Sequence, residues 1–333
     1  MITTVNGAFD KFMKDVVNLD KEVVSNARSS MDNLLNNIDE FSDDDFFHLW
    51  NEINIQYGSF ARKTKCRKLD DIDLMIGISA DGATYDGTRP WNDITITASG
   101  SNRKQIECSN DDGTLNSTKV LNKFKDKLEK TRDYSRSDLH KNKQAVTLTL
   151  LSREWNFDIV PCFQTVKEAD GRSYYLIPNG DGNWLKTDPK KDRDCVFTLN
   201  SQNKGKVTEL IRLCKKWNKV KNAKTISSYV FETLIIHYCL NVESLNDYID
   251  IRFRNALKYI SNNICSSIFD LKGIQGDIND LSYEDRLTIK EKAVIDFQKA
   301  VSAYEAETKE NNHQKAINIW RDIFGEEFPK YGD

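Results

Sequence analysis

Nine residues, DDIDLMIGI from Asp70 to Ile78, constrain this chain more than any others. Ile72, Leu74 and Ile76 alternate with Asp71, Asp73 and Met75, and Leu69 precedes them after a break in the pattern. A period of two belongs to an extended strand with one apolar face. Asp71 and Asp73 then share the other face, and Asp70 points away from them. Ionised carboxylates beside an apolar core must be paired or must hold a cation. Oxygen ligands of this kind suit Mg²⁺ or Mn²⁺.

Upstream, QYGSFARKT places Gly58 and Ser59 in a turn. Glycine lets backbone approach a phosphate closely, and the serine hydroxyl with neighbouring N–H groups can donate to it. Downstream, QAVTLTLLSREWNFDIVPCF reads as a strand pair. Val146, Leu148 and Leu150 alternate, a polar turn follows, and Trp155, Phe157 and Ile159 resume the pattern. Asp158 falls inside the second strand and can supply a third oxygen. Three such groups can hold two metal ions about 4 Å apart, an arrangement that clamps the attacking and leaving oxygens of an in-line phosphoryl displacement.

The remaining periodicities frame an α+β protein. Phe9, Phe12, Met13 and Val16 recur at helical spacing, as do Ala27, Met31, Leu34, Leu35 and Ile38. Ser42 with Asp45 reads as a capping box opening a further helix. After the aspartate strand comes a long polar tract, residues 79–118, to which no chemistry is assigned; such tracts are often functional or insertions. Residues 118–132 read as a helix with Val120, Leu121, Phe124 and Leu128 on one side. From about residue 205 the pattern is helical almost throughout: Val207, Leu210, Ile211, Cys214 and Trp217 mark one helix, SSYVFETLIIHYCL a second, residues 245–264 a third. Ser282 with Asp285 caps a helix whose face is expected to carry Leu287, Val294, Phe297, Val301 and Tyr304. Ala316, Ile319, Trp320 and Ile323 form the last, ending at Gly325 and Pro329. The expected division is a catalytic lobe over 1–200 and a helical lobe over 201–333.

At 333 residues the chain can bury a core without covalent staples. Its 48 basic and 51 acidic side chains nearly cancel, so a long nucleic acid is not the default partner. Cysteines 66, 108, 162, 195, 214, 239 and 265 form no C-x-x-C pair, which argues against a disulfide framework and a structural zinc site. His237, inside LIIHYCL, reads as a satisfied core imidazole. No apolar run reaches membrane-span length and the amino terminus lacks a signal-peptide core, so a cytoplasmic protein is expected.

GSFARKT…DDIDLMI followed by FDIVPCF resembles the signature of DNA polymerase β-type nucleotidyltransferases. CKKWN followed by SSYVFETLI narrows the resemblance to the cGAS/DncV-like nucleotidyltransferases (CD-NTases) of bacterial CBASS anti-phage signalling, relatives of cyclic GMP-AMP synthase and oligoadenylate synthetase. The terminal stretches VNGAFDKFMKDVVNLD and AINIWRDIFGEEFP are similar to the ends of these enzymes, so the resemblance spans nearly the whole chain.

That resemblance implies a polymerase β-type core plus a helical, oligoadenylate-synthetase-like lobe, with the site in the cleft between lobes. It makes Asp71 and Asp73 ligands of two Mg²⁺ or Mn²⁺ ions and Asp158 the ligand of the ion that activates the acceptor hydroxyl. Gly58 and Ser59 would hold the donor triphosphate, Lys216 and Ser228 would reach it, and Tyr229 would stack on the donor base. Lys215 competes with Lys216 for that role. Many members carry glycine after the arginine of the GSxxRGT pattern, where this chain has Lys63. The implied activity joins nucleoside triphosphates into a cyclic di- or trinucleotide second messenger that acts on a downstream effector, with no double-stranded DNA requirement. The rival readings are a transferase acting on RNA or tRNA 3′ ends and a catalytically silent nucleotide-binding module.

Overall fold

The structure, a computed structural model, describes residues 1–41, 44–222 and 226–333, the side chain of Asn222 excepted. In chain order the helices are α1 (Val5–Phe12), α2 (Lys21–Asp39), α3 (Gly58–Ala61), α4 (Arg103–Glu107), α5 (Ser117–Lys130) and α6 (Pro189–Gln202). They continue with α7 (Lys206–Asn222), α8 (Ser228–Leu240), α9 (Ile249–Asn263), α10 (Tyr283–Thr308) and α11 (His313–Phe324). The strands are β1 (Ile55–Tyr57), β2 (Asp71–Gly77), β3 (Thr84–Tyr85), β4 (Ile96–Thr97), β5 (Asp138–Asn142), β6 (Ala145–Thr149), β7 (Asn156–Gln164), β8 (Tyr175–Pro178) and β9 (Trp184–Thr187). The chain is therefore α+β. Among the described residues no helix is long and apolar enough to cross a membrane.

Two compact units divide the chain: a helical unit of Met1–Asp20, Arg62–Lys68 and Asp194–Asp333, and a sheet unit of Lys21–Ala61 and Leu69–Arg193. The last crossing falls inside α6, slightly before the boundary expected near residue 200. The first twenty residues, expected in the catalytic lobe, belong to the helical unit. Their aromatic side chains explain it: the Phe9 ring lies 4.9 Å from Trp320 and 5.0 Å from Phe328, and Phe12 lies 5.0 Å from Phe324, all edge-on or tilted contacts.

In the sheet unit, strands run in the order β1-β2-β7-β6-β5, with β8 paired to β7 and β9 to β8. β2 and β7 are parallel; their neighbours are antiparallel. Ile72 and Leu74 face the same way as Phe157 and Ile159 across the ladder, and all four are buried. The opposite face carries the aspartates at one end. Farther along the strands it becomes an apolar cluster of Ile55, Met75, Val160, Cys162 and Tyr175. α5 packs on this sheet through Val120, Leu121, Phe124 and Leu128, as its periodicity required.

Several expectations change. Ser42 lies outside the described residues, and residues 44–50 form a turn and irregular chain instead of the helix expected there. The polar tract contains β3, β4 and α4, tied down by side-chain turns: Asn102 caps α4 and Asp112 accepts from the Thr114 backbone N–H at 2.9 Å. On α10 the buried face is Ile289, Ala293, Asp296, Ala300, Ala303 and Ala306, while Val294 is exposed. Alanines permit close packing against α9 and α11, and Asp296 must face inward because it accepts from Trp217 Nε1 at 2.8 Å. Ser282 does cap α10, accepting from the Asp285 N–H at 3.1 Å. His237 Nε2 meets the Phe269 carbonyl at 2.9 Å, so the imidazole is satisfied as expected, but it is half-buried and not part of the core. All seven cysteines are free thiols.

Candidate active site

The sheet register settles which aspartates share a face. β2 runs parallel to β7 with Asp73 opposite Asp158 and Asp71 opposite Asn156. Paired residues on neighbouring strands project to one side, and residues two apart along a strand do as well. Asp71, Asp73 and Asp158 therefore stand on one face, each half-buried. The row extends outward in both directions: Tyr57 of β1 opposes Asp73, and Thr147 of β6 opposes Asp158.

The flanking residues respond to the carboxylates. Thr147 donates its hydroxyl to Asp158 Oδ1 at 2.6 Å. Tyr57 loses water around its ring, and Asp73, Asp158, Cys162 and Asp71 oppose a further negative charge there, so its phenol is held well above the ordinary value and stays protonated.

Gly58 meets the row directly. It opens the one-turn helix α3 with φ +72°, and a methyl group there would lie 1.8 Å from Asp73 Oδ2. Backbone thus lies against the Asp73 carboxylate, an approach that glycine alone allows. Ser59 follows in the same turn.

Three hard carboxylate oxygens on one half-buried face fit a divalent cation of the Mg²⁺ type. Among the described residues, however, no three His, Cys, Asp or Glu side chains converge into a closed ion cage. The backbone aligns the trio in adjacent positions, and Asp158 is turned toward Thr147.

The helical unit holds the other expected residues. Lys215 and Lys216 lie in α7, Ser228 and Tyr229 in the first turn of α8, where Ser227 supplies the N-cap by accepting from Val230 N–H at 3.2 Å. The two lysines differ in their partners. Lys215 Nζ lies 3.2 Å from Glu232 Oε2, a carboxylate with 2% of its side chain exposed. Lys216 Nζ lies 2.6 Å from Glu327 Oε2, whose side chain is 60% exposed.

Glu232 gathers more than Lys215. Arg62 Nε donates to its Oε1 at 2.7 Å and the Thr64 hydroxyl to its Oε2 at 2.8 Å. Burial pushes this carboxyl upward, but Arg62, Lys215 and Thr64 outweigh burial and hold it below the ordinary value. Tyr229 is likewise fixed: its hydroxyl donates to Asp270 Oδ1 at 2.9 Å and accepts from Lys272 Nζ at 2.8 Å.

Sequence reasoning missed Tyr57, Thr147, Glu232, Asp270 and Lys272. Thr147 had a signal, since Val146 and Leu148 claim the apolar face and leave the threonine on the aspartate side. Glu232 had a weaker one, a single carboxylate in the apolar run VFETLII.

Comparison with known proteins places the chain in a family. No family model matches the chain. A probable cyclic nucleotide synthase of Bacillus cereus is 40% identical over 337 residues, covering 100% of both chains. A cyclic AMP-AMP-AMP synthase of an Acinetobacter species is 25% identical over 209 residues, 60% of this chain and 57% of that one. Among solved structures, Escherichia coli CdnC with ATP superposes with a TM-score of 0.70 at 18% identity, over 97% of this chain and 98% of that one, a likeness of fold. Full-length identity to the Bacillus protein decides the matter: the chain belongs to the cGAS/DncV-like nucleotidyltransferases, the CD-NTases, and is an enzyme of the cyclic oligonucleotide synthase type.

Proposed function

We propose that the protein joins ribonucleoside triphosphates into a cyclic di- or trinucleotide with release of pyrophosphate, and that Asp71, Asp73 and Asp158 carry the chemistry. The observation behind this reading is the single face shared by the three carboxylates, with Gly58 backbone against Asp73. Asp71, Asp73 and Asp158 would hold two Mg²⁺ or Mn²⁺ ions, and such ions, when bound, neutralise charge on the attacking and leaving oxygens of a phosphoryl transfer. Asp158 takes the proton of the acceptor ribose hydroxyl as that oxygen attacks the α-phosphorus of the donor. Pyrophosphate departs, and a second transfer in the reverse sense, or further additions, closes the ring.

The phosphates are assigned to Gly58, Ser59, Lys216 and Ser228. Support for Lys216 over Lys215 comes from their partners: Lys215 neutralises buried Glu232, whereas Lys216 pairs with an exposed carboxylate that phosphate could displace. Ser228 stands at the N-terminal turn of a 13-residue helix, where N–H groups favour anions. Tyr229, with its hydroxyl held between Asp270 and Lys272, offers a ring fixed in advance for the donor base. In this reading the product is a cytoplasmic second messenger of CBASS defence, acting through an effector and made without double-stranded DNA.

The test is incubation of the protein with four radiolabelled ribonucleoside triphosphates and Mg²⁺ or Mn²⁺, followed by phosphatase, beside an Asp71→Asn/Asp73→Asn control. A phosphatase-resistant species absent from the control is the expected result. An added RNA that becomes extended, with no resistant species, would replace this reading with end transfer.

A further inference from the structure

We propose that Thr147 is a positioning residue for Asp158, its hydroxyl fixing the direction in which the third carboxylate of the row faces. The inference rests on the metal-site reading above and adds a residue to it.

Thr147 lies opposite Asp158 across the β6–β7 ladder, is 5% exposed, and donates to Oδ1 at 2.6 Å. An ionised carboxylate only accepts, so the single hydroxyl proton belongs to this bond. β-branching restricts the threonine χ1 on a strand, which fixes the direction of the donor as well as its distance. Short hydrogen bonds to a charged acceptor are about twice as strong as neutral ones.

Packing does not explain the hydroxyl. Val146 and Leu148 supply the apolar side of β6, buried opposite Ile159 and Phe157. Position 147 needs a branched side chain of this size, and valine would fill it without a polar atom. A buried hydroxyl is retained where it has a carboxylate to hold.

The row makes the direction matter. Asp158 has Asp73 on one side and Thr147 on the other. Repulsion from Asp73 and attraction from Thr147 act in the same sense, turning Oδ1 toward β6. With Oδ1 committed, the carboxylate plane is set before any cation or ribose hydroxyl arrives, so less ordering remains for the reactive complex.

Four full-length proteins test this: wild type, Thr147→Val, Thr147→Ser and Asp158→Asn. Mn²⁺ affinity is read from the electron paramagnetic resonance signal of the free ion, with no nucleotide present. Pyrophosphate release is followed with all four ribonucleoside triphosphates, and melting temperature reports folding. Thr147→Val is expected to weaken Mn²⁺ binding about tenfold and lower the maximal rate about tenfold, the scale of one hydrogen bond to a charged group, with KM within about twofold. Thr147→Ser should restore both to within about threefold, because it keeps the donor.

Three outcomes overturn the proposal. Thr147→Val could match wild type in Mn²⁺ binding and rate while Asp158→Asn loses both; Thr147 then positions nothing. Both Thr147 variants could fall together with a lowered melting temperature, which marks a packing role. If Asp158→Asn itself matches wild type in both readouts, the metal-site reading fails first and takes the Thr147 proposal with it.

Discussion

Glu232 and the row of Asp71, Asp73 and Asp158 both put carboxylates next to apolar cores, one in the helical unit and the other in the sheet unit. Around Glu232 the chain assembles one acceptor and three donors, Arg62, Thr64 and Lys215, and closes them off from water. On the β2–β7 face it sets three acceptors side by side on half-buried positions, with Thr147 donating to Asp158. A buried charge compensated in place serves the fold, because losing a partner strands the others. Carboxylates aligned with like charges oppose one another and are retained for what they can bind. Stability and activity should therefore respond oppositely at the two places.

The largest expected effect is on activity. Asp73→Asn should lower the rate of cyclic product formation about a thousandfold or more, the scale of several kcal/mol of lost charge stabilisation. Its melting temperature should fall far less than that of a Glu232 variant, since Asp73 is half-buried and asparagine keeps its shape. A thousandfold loss accompanied by unfolding would break the contrast.

Glu232→Gln should do the opposite, lowering stability by about 3 kcal/mol or more at neutral pH because Arg62 and Lys215 stay buried without their counter-charge. The folded carboxyl lies below its ordinary 4.5, so the ionised group contributes fully above that pH and the contribution is lost as pH falls through the folded value. Urea melts at pH 7 should separate the two proteins widely, and melts in acid should bring them together. A gap that persists unchanged in acid would show that shape, not charge, is what Glu232 supplies.

How far the sequence revealed these two places follows from the range of the interactions. Asp71 and Asp73 were legible because their common face follows from local periodicity in DIDLMI. Asp158 was found as a strand residue, but its position beside Asp73 depends on parallel pairing across more than eighty residues of chain, which no local pattern encodes. The Glu232 cluster joins side chains 170 and 168 positions apart, with Lys215 alone nearby. Glu232 stands out weakly as a carboxylate in an apolar run, but Arg62, Thr64 and Lys215 look solvated when read singly. α10 shows the same limit: its large apolar residues predicted one face, and packing selected the alanines beside them. The Ser42 helix rested on a cap signal alone, and a cap does not make a helix.

Between the two extremes lies Gly58, which belongs to the row by contact and to the backbone by conformation. Gly58→Ala should cost about 1–3 kcal/mol of stability, from a side chain at positive φ and from displacement of Asp73. Activity should fall further than stability does, because the atom displaced is Asp73 Oδ2. Equal losses in unfolding and in turnover would assign Gly58 to the turn alone.

The smallest effect is expected at Lys63, where many family members carry glycine. Lys63 sits at φ 60°, in the left-handed region, between the two residues that grip the same carboxylate. That turn lets the side chains of Arg62 and Thr64 reach Oε1 and Oε2 of Glu232 together, and the Lys63 carbonyl accepts from Arg212 at 2.5 Å. Glycine adopts this conformation without the steric cost of a Cβ but loses more freedom on folding, and the two terms, each about 1 kcal/mol, nearly cancel. Lys63→Gly should accordingly leave the melting temperature almost unchanged. Lys63→Val should lower it by the equivalent of about 1–2 kcal/mol, since a β-branched residue tolerates positive φ least. In the Glu232→Gln background the valine penalty should persist, because it arises in the backbone, whereas a penalty that vanished there would mean the turn exists only to deliver Arg62 and Thr64 to the charge.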